Sequence, residues 1–80
     1  MPLFFFDVLE VDGSVTTDTT GVDLSSPEAA KHQADLALAE ITAAEIIKSE
    51  DFTIRLRVRD QSGAEINCRH VTVSQTSFGM

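Results

Sequence analysis

The segment FTIRLRVRD, residues 52–60, alternates apolar and polar positions without a break. Side chains of a strand point alternately to its two faces, so Phe52, Ile54, Leu56 and Val58 line one face and Thr53, Arg55, Arg57 and Arg59 the other. This spacing predicts a half-buried strand over 52–60. A second alternating run, over 64–73, places Ile66 and Cys68 on one face, but Val71 and Val73 fall out of phase with them. One extra residue around Arg69 and His70 would restore the phase, which predicts a β-bulge there. Between the two runs, DQSG puts Asp60 at the first and Gly63 at the last position of a type I turn, so a hairpin is expected. Nearer the amino end, residues 3–10 are rich in strand-forming side chains, Asp12-Gly13 supplies a tight-turn pair, and a short strand over 14–17 follows. DTTGVDL then reads as a loop in which Asp18 caps a turn, Gly21 takes a left-handed conformation, and Val22 and Leu24 lead back to the core.

The period changes in the middle of the chain. Ala30, Ala34, Ala37, Leu38, Ile41 and Ala44 recur at intervals of three and four, which predicts a helix over 27–47 with an apolar stripe for packing on a sheet. Ser26 as N-cap, Pro27 at the first helical position and Glu28 in the first turn mark its start; a register one residue earlier offers a capping box from Ser25 to Glu28. Leu36, Ala43 and Ile47 fall on the side away from the stripe and make that side a candidate interface. The tail, from Ser74 onward, reads as frayed, with Phe78 as a residue that could dock.

The order β-β-α-β-β predicts a single α+β domain over 1–80: a four-stranded antiparallel sheet with one helix packed on one face. The other face is then open. Directing Phe4, Phe6 and Val8 toward the helix buries more apolar surface than the opposite register, so Phe5 and Asp7 are expected on the open face beside Arg55, Arg57 and Arg59. Those five residues form the candidate binding face.

Composition sharpens the question of what the arginines meet. The 80 residues suffice for one core, and a hydrophobic content of 42% argues against wholesale disorder. Six basic against thirteen acidic residues give a net charge of −7, which disfavours nucleic acid and anionic membranes as partners. Half of the basic charge nevertheless sits in one strand. The row could pair internally with Asp7, Glu10 and Glu65, could form an anion or single-stranded nucleic-acid platform with Phe5 stacking on a base, or could be a protein interface.

Other chemistry is sparse. Cys68 and His70, with His32 on the helix, are too few for a tetrahedral metal site, and a Cys-His nucleophile would lack an orienting group, so Cys68 reads as a small core residue. Asp12, Asp18 and Asp23 do not have the spacing of a calcium loop. With one cysteine there is no internal disulfide; the apolar start lacks a preceding positive charge and is broken by Asp7; and no run approaches the length of a membrane helix. The expectation is a cytoplasmic, non-catalytic domain without metal or cofactor, acting by protein contact as a homodimer or as an accessory to a protein partner. The alternative is a nucleic-acid-linked regulator, either an antitoxin-like accessory or an acidic mimic.

MPLFFFDV at residues 1–8, Asp12-Gly13, DTTGVDL ending at Leu24, Ala29-Ala30 and VRDQSG occur here in an order and spacing that resemble a family of small alphaproteobacterial domains of unknown function. Members begin with Met-Pro, a basic residue, then Tyr-Phe-Phe-Asp or similar. Leu3 and Phe4 replace the Arg and Tyr frequent there, which makes the first strand more apolar. The resemblance spans nearly the whole chain and implies a β-β-α-β-β domain in a bacterial cytoplasm. Its motifs are structural, and it implies no activity, ligand or partner.

Overall fold

The computed structural model describes residues 2–10 and 12–79. Met1, with which the Met-Pro motif begins, lies outside the described residues. Five strands and one helix follow in the order β1 (Leu3–Leu9), β2 (Val15–Thr16), β3 (Val22–Asp23), α1 (Pro27–Glu45), β4 (Phe52–Arg59) and β5 (Glu65–Val73). The fold is α+β, and the sheet is antiparallel and open, with strand order β2-β1-β4-β5. The four predicted strands all form. A fifth, β3, is added by two residues of the expected loop, Val22 and Asp23, which pair with Phe4 and Leu3 on the same side of β1 as β2. Two residues carry too little periodicity to announce a strand. Leu24 packs against the core as expected, whereas Val22 stays 43% exposed.

Both hairpins carry a left-handed glycine in the turn. Gly63 N–H donates to Asp60 O at 3.0 Å, and Asp60 Oδ1 accepts from Ser62 N–H and Ala64 N–H, so the anticipated type I turn is present. At the first hairpin Gly13 N–H donates to Glu10 O at 3.0 Å, and Glu10 N–H to Ser14 O at 2.8 Å. Gly13 and Gly63 are left-handed, with φ of 87° and 91°, while Asp12 is not. Asp12-Gly13 is therefore not a two-residue turn pair with two positive φ values; the left-handed glycine alone carries one.

Helix α1 starts where Ser26 places it. The Ser26 hydroxyl accepts from Ala29 N–H at 3.1 Å, so the later of the two cap registers is realised. Ala30, Ala34 and Leu38 are buried against Ile54, Leu56 and Val58 of β4, with Ala37 and Ile41 at the margin of the core. Small alanines allow the helix to sit close to the β-branched and leucine side chains beneath it. Ala44 is exposed, and the helix ends at Glu45, two residues before the predicted boundary.

The bulge lies earlier in β5 than expected. Val58 pairs with Asn67 and Arg59 with Glu65, so Ile66 is the extra residue. The phase break therefore precedes Cys68, which faces away from the helix and is exposed. Pairing Cys68 with Ile66 as core residues placed the bulge on the wrong side of the cysteine. Phe78 is 83% exposed and does not dock.

The cap assignment has a direct check. Ser26→Ala is expected to lower stability by about 1 kcal/mol, and Ser25→Ala by a small fraction of that, in chemical denaturation.

Candidate functional site

Strand register places the candidate face. Phe5 pairs with Arg59, Asp7 with Arg57 and Leu9 with Arg55, so Phe5, Asp7 and the three arginines stand together on the face opposite α1. Cys68, His70 and Thr72 of β5 join them across from Arg57, Arg55 and Thr53. The alternative set, Leu36, Ala43 and Ile47, lies on the outer side of the helical segment, where Leu36 is 49% and Ile47 84% exposed.

Asp7 is the centre of the open face and is nevertheless fully buried. Its Oδ2 accepts from Arg57 Nε at 3.0 Å, Arg57 Nη2 at 2.9 Å and Arg59 Nε at 2.6 Å. Its Oδ1 accepts from Arg59 Nη2 at 3.1 Å and from the Asp18 backbone N–H at 2.9 Å. Two guanidinium groups thus lie over one carboxylate and shield it from water. Arg59 also stacks over the Phe5 ring, 5.2 Å from its centroid. Arg57 lies 3.9 Å from Glu65, an outer and looser contact. Of the three carboxylates expected to pair with the row, Asp7 does most of it, Glu65 contributes at the margin, and Glu10 makes no ion pair among the described residues.

Asp18 completes the cluster, and its part in it was not visible in the sequence. Between β2 and β3 the chain leaves the edge of β1 and folds over the open face. Asp18 Oδ2 accepts from Phe6 N–H at 3.1 Å, taking the place of a strand partner in the gap. Its Oδ1 accepts from Thr20 N–H at 3.0 Å and Gly21 N–H at 3.1 Å, which is the turn-capping role the loop composition suggested. Arg59 Nη2 donates to its carbonyl at 3.0 Å. Arg57 and Arg59 both bond the Asp7 carboxylate, and with the Asp18 carboxylate close by the formal charge of the four residues sums to zero. A carboxylate reaching a backbone N–H twelve residues away leaves no periodic signal.

Gly21 is required by this loop. Its φ is 79°, and a Cβ there would approach Phe5 Cε1 to 2.9 Å. Both backbone and space exclude a side chain.

The electrostatics follow from the geometry. Hydrogen bonding from Arg59 lowers the Asp7 pKa from 3.8 to about 2, opposing the rise that burial alone would cause, with Asp18 N–H and Arg57 adding to the lowering. Burial pushes the Asp18 carboxyl up, but the N–H groups of Gly21, Phe6 and Thr20 outweigh it and hold the pKa below the usual value. Asp7 raises the pKa of Arg59 further.

Arg55 differs from its neighbours. It is exposed, makes no ion pair among the described residues, and borders a shallow cleft of about 410 Å³ with Leu9, Glu10 and Thr53. Cys68 and His70 share the open face, while His32 belongs to the helix on the opposite face. Among the described residues, no three His, Cys, Asp or Glu side chains come together as metal ligands. No helix among the described residues is long and apolar enough to cross a membrane.

The chain matches, over residues 3–74, the family described as a domain of unknown function, DUF6894. The chain belongs to this family. No curated protein and no solved structure matches it. The family match covers β1 through β5, and with them every member of the Asp7 cluster.

Because folding lowers the Asp7 pKa, the unfolded chain binds the proton more readily, so the stabilisation is complete above about pH 4 and is lost as pH falls toward 2. The shift corresponds to about 2 kcal/mol. Acid titration of unfolding free energy is expected to decline through that window, and Asp7→Asn to flatten the decline while costing about 3 kcal/mol at neutral pH. Gly21→Ala is expected to cost about 1–3 kcal/mol by the same assay.

Proposed function

We propose that this chain is a non-catalytic protein-contact module of the bacterial cytoplasm. The observation that carries the reading is the outer side of the helical segment, where Leu36, Ile46 and Ile47 are 49%, 54% and 84% exposed and none of the described residues covers them. Leu36, Ala39, Ala43 and Ile46 follow one another at intervals of three and four, the spacing at which a second helix seats its side chains. The same helix carries Glu28, Asp35, Glu40 and Glu45 against Lys31 alone. An apolar stripe with acidic borders suits a partner whose docking surface is apolar and basic. That surface in the partner would also be one that otherwise holds nucleic acid, which is the form of the regulator reading that the acidic helix favours.

The arginine row supports neither a phosphate platform nor a catalytic centre. A phosphate approaching Arg57 or Arg59 has to displace a buried carboxylate already bonded to both. Among the described residues Arg55 alone offers an unpaired guanidinium on that face, and Phe5 is engaged by Arg59 and Gly21 rather than presented for stacking.

Affinity capture from the native host with the tagged wild type and with a Leu36→Glu, Ile47→Glu variant tests the reading. A stoichiometric protein is expected with the wild type and not with the variant, whose thermal midpoint is expected to stay within a few degrees because both positions are exposed. No stoichiometric partner for either, from a chain that is also monomeric in solution, would overturn it.

A further inference from the structure

The two edges of the sheet are treated differently. On one side β1 is covered by β2 at Val8 and Leu9, by β3 at Leu3 and Phe4, and by the Asp18 carboxylate at Phe6. On the other side the nine residues of β5 present an outer edge that pairs with nothing among the described residues. The sequence EINCRHVTV contains no proline and no lysine, and its one bulge, at Ile66, lies near the start of the strand. Residues 67–73 therefore form a regular, unguarded edge, the feature that invites another strand.

From this edge we infer that two copies of the chain pair through β5, antiparallel, across a two-fold axis perpendicular to the sheet. The inference rests on the contact reading above and names a partner for a different surface, the chain itself. Charge selects this surface for self-pairing. Glu65 and Arg69 make β5 neutral, whereas the helix carries four carboxylates against one lysine and would repel its own copy. An edge strand is also self-complementary under a two-fold axis, because the N–H and C=O groups it leaves free are those its copy needs.

Register follows from the faces. In an antiparallel pair opposed residues share a face, so a perpendicular two-fold must pass through a residue of β5. An axis through Arg69 opposes two like charges, which is unfavourable. Axes through Cys68 or Val71 leave part of 67–73 outside the pairing. An axis through His70 keeps all of it, opposing Cys68 to Thr72 and Arg69 to Val71 of the partner subunit. The helices then lie on the same side of one continuous sheet. Beside β5 each copy has a groove of about 210 Å³ lined by Asp35, Leu38, Ala39, Arg69 and Val71. Arg69 Nη1 donates to Asp35 Oδ2 at 2.8 Å there, and the two side chains remain 62% and 42% exposed. Pairing leaves both Asp35–Arg69 ion pairs intact beside the axis, each arginine neutralised within its own copy.

Light scattering over a concentration series, on the wild type and two variants, tests the dimer. The wild-type mass is expected to rise from 8.7 kDa toward twice that value. His70→Lys with Thr72→Lys, both exposed edge positions, is expected to raise the dimer dissociation constant at least tenfold without changing the circular dichroism spectrum. A wild type that stays at one chain mass at millimolar concentration overturns the inference. So does a dimer that the lysine variant leaves intact and Leu36→Glu dissolves, an outcome that keeps the contact reading. Oxidation reads the register: opposed Cα atoms lie about 4.5–5.5 Å apart, within disulfide range, so His70→Cys in a Cys68→Ser background is expected to cross-link rapidly. Faster cross-linking of the wild type through Cys68 than of that variant overturns the His70 axis.

Discussion

A carboxylate with no access to water, on the face of the sheet that has no helix, organises this molecule. Burying a charge is costly unless it is paired and fully hydrogen-bonded, and Asp7 meets that condition by drawing in two arginines from the neighbouring strand and a backbone N–H from a loop. Each partner comes from a different part of the chain. The carboxylate therefore ties β1 to β4 and both to the segment between β2 and β3, and it does on the open face what apolar packing does under the helix. Arg57 and Arg59 are in this sense a lid on Asp7.

The same demand shapes the edge of β1. Asp18 serves four purposes at once: its N–H completes Asp7, its carboxylate stands in for a missing strand partner at Phe6 and caps the turn at Thr20 and Gly21, and its carbonyl holds Arg59. Gly21 lets the chain descend onto Phe5 after that detour. Among the described residues no comparable structure protects β5, and the contrast between a sealed edge and a bare one is a property of the whole sheet rather than of any residue in it.

Much of the fold was legible because it follows from short periods. The alternation of Phe52 to Arg59 identified β4 and its two faces, and the preference for burying Phe4, Phe6 and Val8 placed Asp7 beside the arginines. Ser26, Pro27 and Glu28 marked the helix start. What escaped prediction has no period. β3 is too short to alternate, Asp18 acts through contacts at sequence distances of 11, 12 and 41 residues, and the bulge at Ile66 was misplaced because Cys68 was assigned to the core by its chemistry rather than by its phase. The site was thus readable as a set of residues on one face, while their bonding to each other, which turns a basic row into a neutral cluster, required the loop.

The pairing of the first strand with the fourth has a consequence for synthesis. Asp7 and its partners Arg57 and Arg59 are 50 and 52 residues apart in the chain. At roughly 5–20 residues per second, on the order of 3–10 s separate the making of LFFFDVL from the making of the strand that covers it. During that interval an aromatic segment of high strand propensity waits without its partner. A lone ionised aspartate at its centre is the kind of residue that keeps such a segment from pairing with other nascent chains. The carboxylate that later disappears from solvent is first a solubilising charge, so one side chain guards the strand before folding and anchors it afterwards.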